Sequence, residues 1–170
     1  MAERRLIVIA AYDPAWPERF RLKARSLARV FAGVPCAIEH IGSTAVAGLA
    51  AKPVIDILLG VRELAEIEAR IPAIESLGYV YVPEYEDELP ERRFFRKDEN
   101  GTRSHHVHAV QMGGAFWRRH LLFRDRLRAS PETVAEYAAL KKRIAERCRD
   151  DVEAYTNAKT DFIRRVLAGA

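Results

Sequence analysis

Residues 38–59 read IEHIGSTAVAGLAAKPVIDILL, and the parsing of this stretch decides the fold. Val54 to Leu59 is a short apolar run with one carboxylate, Asp56, in its middle. A run that short and that rich in branched side chains reads as a buried strand. An unpaired carboxylate inside it would be costly, so Asp56 is expected to meet a cation, a metal ion or several hydrogen-bond donors. Upstream, Ala37 to Ile41 also reads as a strand, and it ends in Gly42-Ser43-Thr44. Glycine suits a tight turn there, with amides and hydroxyls able to face an anion. Strand, turn and strand are expected to build one site. The same pattern also fits a plain turn and a core Asp bonded to backbone amides.

On the N-terminal side, Leu6 to Ala11 is an apolar run, read as a short strand or an ordered lead-in. Asp13-Pro14 then reads as a helix start, with the helix running to about Ala32 and stopped by Gly33 and Pro35. Trp16, Phe20, Leu27, Val30 and Phe31 give it an apolar face. On the C-terminal side, Arg62 to Leu77 is helical with Pro72 interrupting it, Tyr79 to Val82 is a strand, and Glu84 to Glu91 is an exposed acidic loop. Arg92 to Lys97 and Ser104 to Gln111 read as strands joined by Asp98-Glu99-Asn100-Gly101, a hairpin loop. Three helices follow, Ala115 to Ala129, Glu132 to Arg147, and one capped by Asp150 that ends near Leu167. This order implies an α+β protein, a small mixed β-sheet packed by helices with a C-terminal helical portion, in one domain over residues 1–170.

Together with HHVHAV at 105–110 and WRRHLLFRDRLR at 117–128, the opening stretch resembles the GrpB family, which is grouped with the nucleotidyltransferases. The resemblance covers nearly the whole chain and implies a nucleotidyltransferase-like fold. The superfamily pattern is a Gly-Gly or Gly-Ser turn, about a dozen residues, then two carboxylates spaced two apart that hold divalent ions. Here Gly42-Ser43 and Asp56 fit that spacing, and Leu58 stands where the second carboxylate would be. Some relatives are fused to dephospho-CoA kinase, whose phosphate loop this chain lacks. The resemblance implies metal-assisted transfer of a nucleotidyl group to a small-molecule acceptor, with Asp56 catalytic. Leu58 favours the alternative, a binding module that kept the fold and lost the two-metal chemistry.

The expected phosphate or nucleotide contacts are Gly42, Ser43, Thr44, Lys52, Arg93 and Arg96. Lysine offers a point charge and arginine a fork that matches phosphate. Strand alternation puts His106 and His108 on one face and His105 on the other. If the histidine strand lies beside the Asp56 strand, Asp56, His106 and His108 form a metal set. Mg²⁺ or Mn²⁺ is expected on the carboxylate, and Zn²⁺ or Fe²⁺ if the histidines ligate. Strand histidines that are merely hydrogen-bonded are the competing reading. Glu39 reads as an ordinary salt-bridge partner or a replacement carboxylate. Tyr137, Lys141, Tyr155 and Lys159, at helical spacings, read as packing or supporting residues.

The 49% hydrophobic and 31% charged residues fit a globular protein, and no apolar run is long enough to span a membrane. With no secretion signal pattern, the expected location is cytoplasmic. Cys36 and Cys148 are too few for a disulfide framework. From Met112 onward 13 basic residues face 8 acidic ones, an excess that can attract phosphates or simply coat a solvated helix. The two signs interleave, so a small phosphate-bearing molecule is the expected partner, with neither nucleic acid nor membrane. No sequence feature fixes an oligomeric state.

Overall fold

The computed structural model describes residues 7–169. Five strands form one mixed sheet in the order β1-β2-β5-β4-β3. They are β1 (Cys36–Ile41), β2 (Ile55–Val61), β3 (Val80–Tyr81), β4 (Arg92–Glu99) and β5 (Thr102–Gln111). All neighbours are antiparallel except β2 and β5, which run parallel at the centre and pair Asp56 with His106 and Leu58 with His108. The α+β arrangement of a small mixed sheet, covering helices and a helical C-terminal portion is the one expected.

Helices α1 (Trp16–Val30), α2 (Leu64–Glu68) and α3 (Ile71–Glu75) cover one face of the sheet. Trp16, Leu27, Phe31, Ile67 and Ile74 bury there against Ile55, Ile57, Leu59, Phe95 and Val107. The opposite face is covered by α4 (Ala115–Ala129), α5 (Pro131–Cys148), α6 (Val152–Asn157) and α7 (Thr160–Ala168). Leu58, Ile41 and Val110 pack there beneath Phe116, Trp117 and Leu121 of α4. Gly60 lets the Trp117 ring lie on the sheet, because a Cβ at that position would come within 2.5 Å of it. Tyr137 and Phe162 stack in a second cluster with Val46, Leu49 and Leu127, joining α5 and α7 to the loop after β1.

Several boundaries differ from the sequence reading for local reasons. Helix α1 starts at Trp16 with Pro17 in its first turn, while Asp13 accepts from the Ala15 amide one turn earlier. It ends at Val30, short of Ala32. The last helix is capped by Asp151, whose carboxylate accepts from the Ala154 amide, and it is split into α6 and α7 at Ala158-Lys159. The expected strand at Tyr79 to Val82 shrinks to two residues. The hairpin loop tightens to Asn100-Gly101, both at positive φ (53° and 73°), as a two-residue turn between twisted strands requires. Of the Leu6 to Ala11 run, Leu6 lies outside the described residues, and Ala10 makes an isolated bridge to Ala51.

Candidate functional site

The parallel pairing of β2 with β5 brings Asp56, His106 and His108 to one face of the sheet. His106 Nδ1 lies 3.1 Å and His108 Nε2 lies 3.3 Å from Asp56 Oδ1. The three candidate ligand atoms all lie within 4.8 Å of one another, close enough to surround an ion. The Asp56 side chain is 28% exposed. Burial would raise its pKa, but hydrogen bonds from His106 and His108 outweigh that and hold the carboxyl well below the ordinary range. Asp56 is therefore a carboxylate near neutral pH. Its second oxygen, Oδ2, lies against Gly42, which has φ 72°, and a Cβ on Gly42 would come within 2.6 Å of that oxygen. Gly42 is thus required twice, by its backbone conformation and by its closeness to Asp56.

Above this floor lies a cavity of about 410 Å³. Gly42, Ser43, Thr44, Lys52, His120, Lys141, Tyr155 and Lys159 are among its lining residues. Among the described residues that line it, Asp56 is the sole carboxylate, facing three lysines. The Lys52 and Lys159 ammonium groups sit 4.1 and 4.3 Å from the centre of the Tyr155 ring. Lys141 is 2% exposed, donates to the Ala50 carbonyl and lies 4.6 Å over the Tyr137 ring. Burial, then the charge of Lys159, pushes Lys141 down to about 7. Burial, then the charge of Lys52, pushes Lys159 down to about 8, despite the opposing pull of Asp56. Burial also lowers Lys52, again against Asp56. The lysines repel one another in a partly dry space, a cost that an anion would relieve.

Not every expected contact converges. Thr44 is buried, and its hydroxyl meets His40 Nε2 at 2.9 Å and the Val54 carbonyl, so it is spent inside the turn. Arg93 lies on the opposite face of the sheet, bonded to Glu68, to the Pro90 carbonyl and, at 3.4 Å, to Glu86. Arg96 is exposed on the site face opposite His106 and lies outside the residues lining the cavity. Leu58, at the position of the missing carboxylate, is fully buried in the core under α4. Glu39 is a salt-bridge partner, accepting from Arg124 at 2.7 Å.

The sequence reading passed over Arg92 and His120. Arg92 shares the site face with Phe94 and Arg96, and it is the pairing of β4 with β5 that makes this face the site's. His120 stacks on Phe116 at 3.8 Å, donates Nδ1–H to the Phe116 carbonyl and is pushed down to about 4 by burial. Several arginines of the basic C-terminal part serve the fold. Arg124 reaches the His40 carbonyl and Arg128 the Ala45 carbonyl, tying α4 to the β1 turn.

The family model described as GrpB protein matches residues 6–168. The chain belongs to the GrpB family. GrpB proteins similar to it include UPF0157 protein YqkA of Bacillus subtilis, 38% identical over 161 residues. That match covers 95% of this chain and 46% of the longer relative, so the chain spans about half of it. The crystal structure of conserved protein GrpB from Enterococcus faecalis superposes with a TM-score of 0.85 at 36% identity, covering 95% of this chain and 96% of that one. Terminal uridylyl transferase 4 from Trypanosoma brucei with bound CTP aligns at 16% identity and a TM-score of 0.49, over 98% of this chain and 52% of that one. A likeness that distant carries no argument about ligand or reaction. Among the described residues of this GrpB protein, no helix is long and apolar enough to cross a membrane.

Proposed function

We propose that the cavity binds a small phosphate-bearing molecule together with a divalent cation held at Asp56. The observation that carries this reading is the convergence of Lys52, Lys141 and Lys159 on a cavity with one lining carboxylate. Lys52, Lys159 and Lys141 receive the anionic groups, and the Gly42-Ser43 turn supplies its backbone beside Asp56. The carboxylate is ionised with Oδ2 toward the turn, which fits a cation that shares its remaining ligands with the bound phosphates and water. Such an ion would supply charge neutralisation at phosphorus.

Binding is favoured over turnover by one feature. Leu58 occupies the second carboxylate position and is fixed in the core, so paired carboxylates for two ions are not available there. Nucleotidyl transfer to a small acceptor, the activity implied by the resemblance, is the second reading, supported by the Gly-Ser turn and Asp56. Calorimetric titration of ATP and of pyrophosphate, each with and without Mg²⁺ or Mn²⁺, tests both. Binding should weaken about a hundredfold or more in Lys52→Met/Lys159→Met, since each of the two lost contacts to a charged group is worth roughly 1.5–3 kcal/mol. Wild-type protein that binds neither compound would sink the proposal. Release of pyrophosphate from ATP in the presence of candidate acceptors would promote the second reading.

A further inference from the structure

Asp56, His106 and His108 have the spacing of a metal set, yet the groups behind the two imidazoles contradict it. His106 meets Asp56 through Nδ1, and its other nitrogen, Nε2, lies 3.3 Å from Arg103 Nη1. His108 meets Asp56 through Nε2, and its other nitrogen, Nδ1, lies 3.3 Å from Arg92 Nη1. A guanidinium has only N–H donors and stays protonated, so the imidazole nitrogen facing it must accept. A neutral imidazole has one lone pair and one N–H. The proton therefore sits on the nitrogen facing the carboxylate in both rings, Nδ1–H in His106 and Nε2–H in His108. Both donate to the same oxygen, Oδ1.

Metal ligation would demand the reverse. The nitrogen near Asp56 would need its lone pair, and the proton would move to the far nitrogen, where it would point at a guanidinium N–H. Metal-bound histidines ordinarily donate that remote N–H to an acceptor. His120 shows the contrast within the same cavity, because its Nδ1–H has the Phe116 carbonyl behind it and its Nε2 is left to accept. Neither arginine is placed to give way easily. Arg92 is packed among aromatic rings, 4.9 Å over Phe94 with Tyr85 and Phe116 at 5.8 Å. Arg103 is anchored to Asp98 on the neighbouring strand.

We infer that Arg92 and Arg103 lock His108 and His106 as paired N–H donors to Asp56, making the cluster a carboxylate clasp and not a three-ligand site for Zn²⁺ or Fe²⁺. Oδ1 is saturated by the two rings, and Oδ2 is the oxygen left to the cavity. A site with one protein oxygen takes a cation that completes its shell with phosphate oxygens and water, as Mg²⁺ or Mn²⁺ does. Only this last step rests on the proposed phosphate-and-cation function. The arginines are positioning residues that act through the histidines.

The test is long-range ¹H–¹⁵N correlation NMR on the metal-free full chain, which reads each imidazole's protonated nitrogen directly. Its resonances are assigned with single His→Asn variants. The expected result is Nδ1–H for His106 and Nε2–H for His108. Equimolar Zn²⁺ should leave both rings unshifted in wild type and should bind at least about tenfold more tightly in Arg92→Met/Arg103→Met, where the donors are gone. Reversed protons on the two rings, or Zn²⁺ uptake by wild type with both rings shifted, would overturn the assignment. A folded double variant no better at binding Zn²⁺ than wild type would also overturn it. Failure of the phosphate reading would appear separately, as absent ATP and pyrophosphate binding with the two ring protons still in place.

Discussion

Binding of a polyphosphate should draw protons into the protein, because the lysines that would meet it are partly uncharged beforehand. In the free protein Lys141 is pushed down to about 7 and Lys159 to about 8. At about pH 8, Lys141 is then roughly 10% protonated and Lys159 roughly half. An anion seated among them favours the charged form and raises both values. Proton uptake at that pH should therefore be about 0.9 at Lys141 and about 0.5 at Lys159, near 1.4 protons per ligand bound. The sign follows from the depressed values: uptake is small below the free-state pKa values and grows as pH rises through them. Affinity should consequently fall by about 25-fold or more per pH unit above about pH 8. ATP is fully ionised there, so its own protons do not interfere. The assay is titration calorimetry of ATP in two buffers of different ionisation enthalpy, whose difference in apparent heat counts the protons. Lys141→Met should lower the count to about 0.5. Tight ATP binding with no buffer dependence at about pH 8 would refute the reasoning, since the anion would then lie away from these lysines.

Asp56→Asn should destabilise the fold by about 1.5–3 kcal/mol near neutral pH, through loss of charge-assisted bonds from His106 and His108. Because the folded carboxyl is held below its ordinary 3.8, this stability is present above that pH and is lost only as pH falls through the folded value. Urea melts of wild type and variant should stay separated down to about pH 4 and converge below it; convergence at a higher pH would contradict the depressed pKa. Gly42→Ala forces a side chain into a region left to glycine and onto Asp56 Oδ2, so a loss of about 1–3 kcal/mol is expected, with ATP binding impaired beyond what the loss of fold explains. Gly60→Ala drives a methyl into the Trp117 ring and should cost about 1–3 kcal/mol while leaving affinity per folded molecule unchanged. An affinity change there would mean that the seat of α4 on the sheet is felt in the cavity.

The local parts of this protein were legible in its sequence. Gly113-Gly114 and Ser130-Pro131 bound α4 at Ala115 and Ala129, because glycine and a capped proline fix where a helix can start and stop. Alternation along β5 put His106 and His108 on one face and His105 on the other. The single carboxylate in an apolar strand marked Asp56 as a residue in need of partners, and it has them. Such signals are legible because helix and strand periodicities are set by backbone geometry within a few residues. Even so, Asp13 and Asp150 misplaced two helix starts: Asp13 closes a turn onto the Ala15 amide ahead of α1, and the neighbouring Asp151 is the residue that caps α6.

Which strand lies beside β2 is set by the packing of the whole sheet. No local pattern encodes the parallel register that sets His106 opposite Asp56 at a separation of 50 residues, because pairing over that distance is selected by burial of the whole sheet. The same selection put Arg92 on the site face and turned Arg93 to Glu68. It carried Lys141 and Lys159, which read as packing residues on distant helices, into the cavity with Lys52. The protons on His106 and His108 were still less legible. They depend on Arg103 and Arg92 standing behind the rings, and a hydrogen-bond donor acts only from the place where the fold puts it.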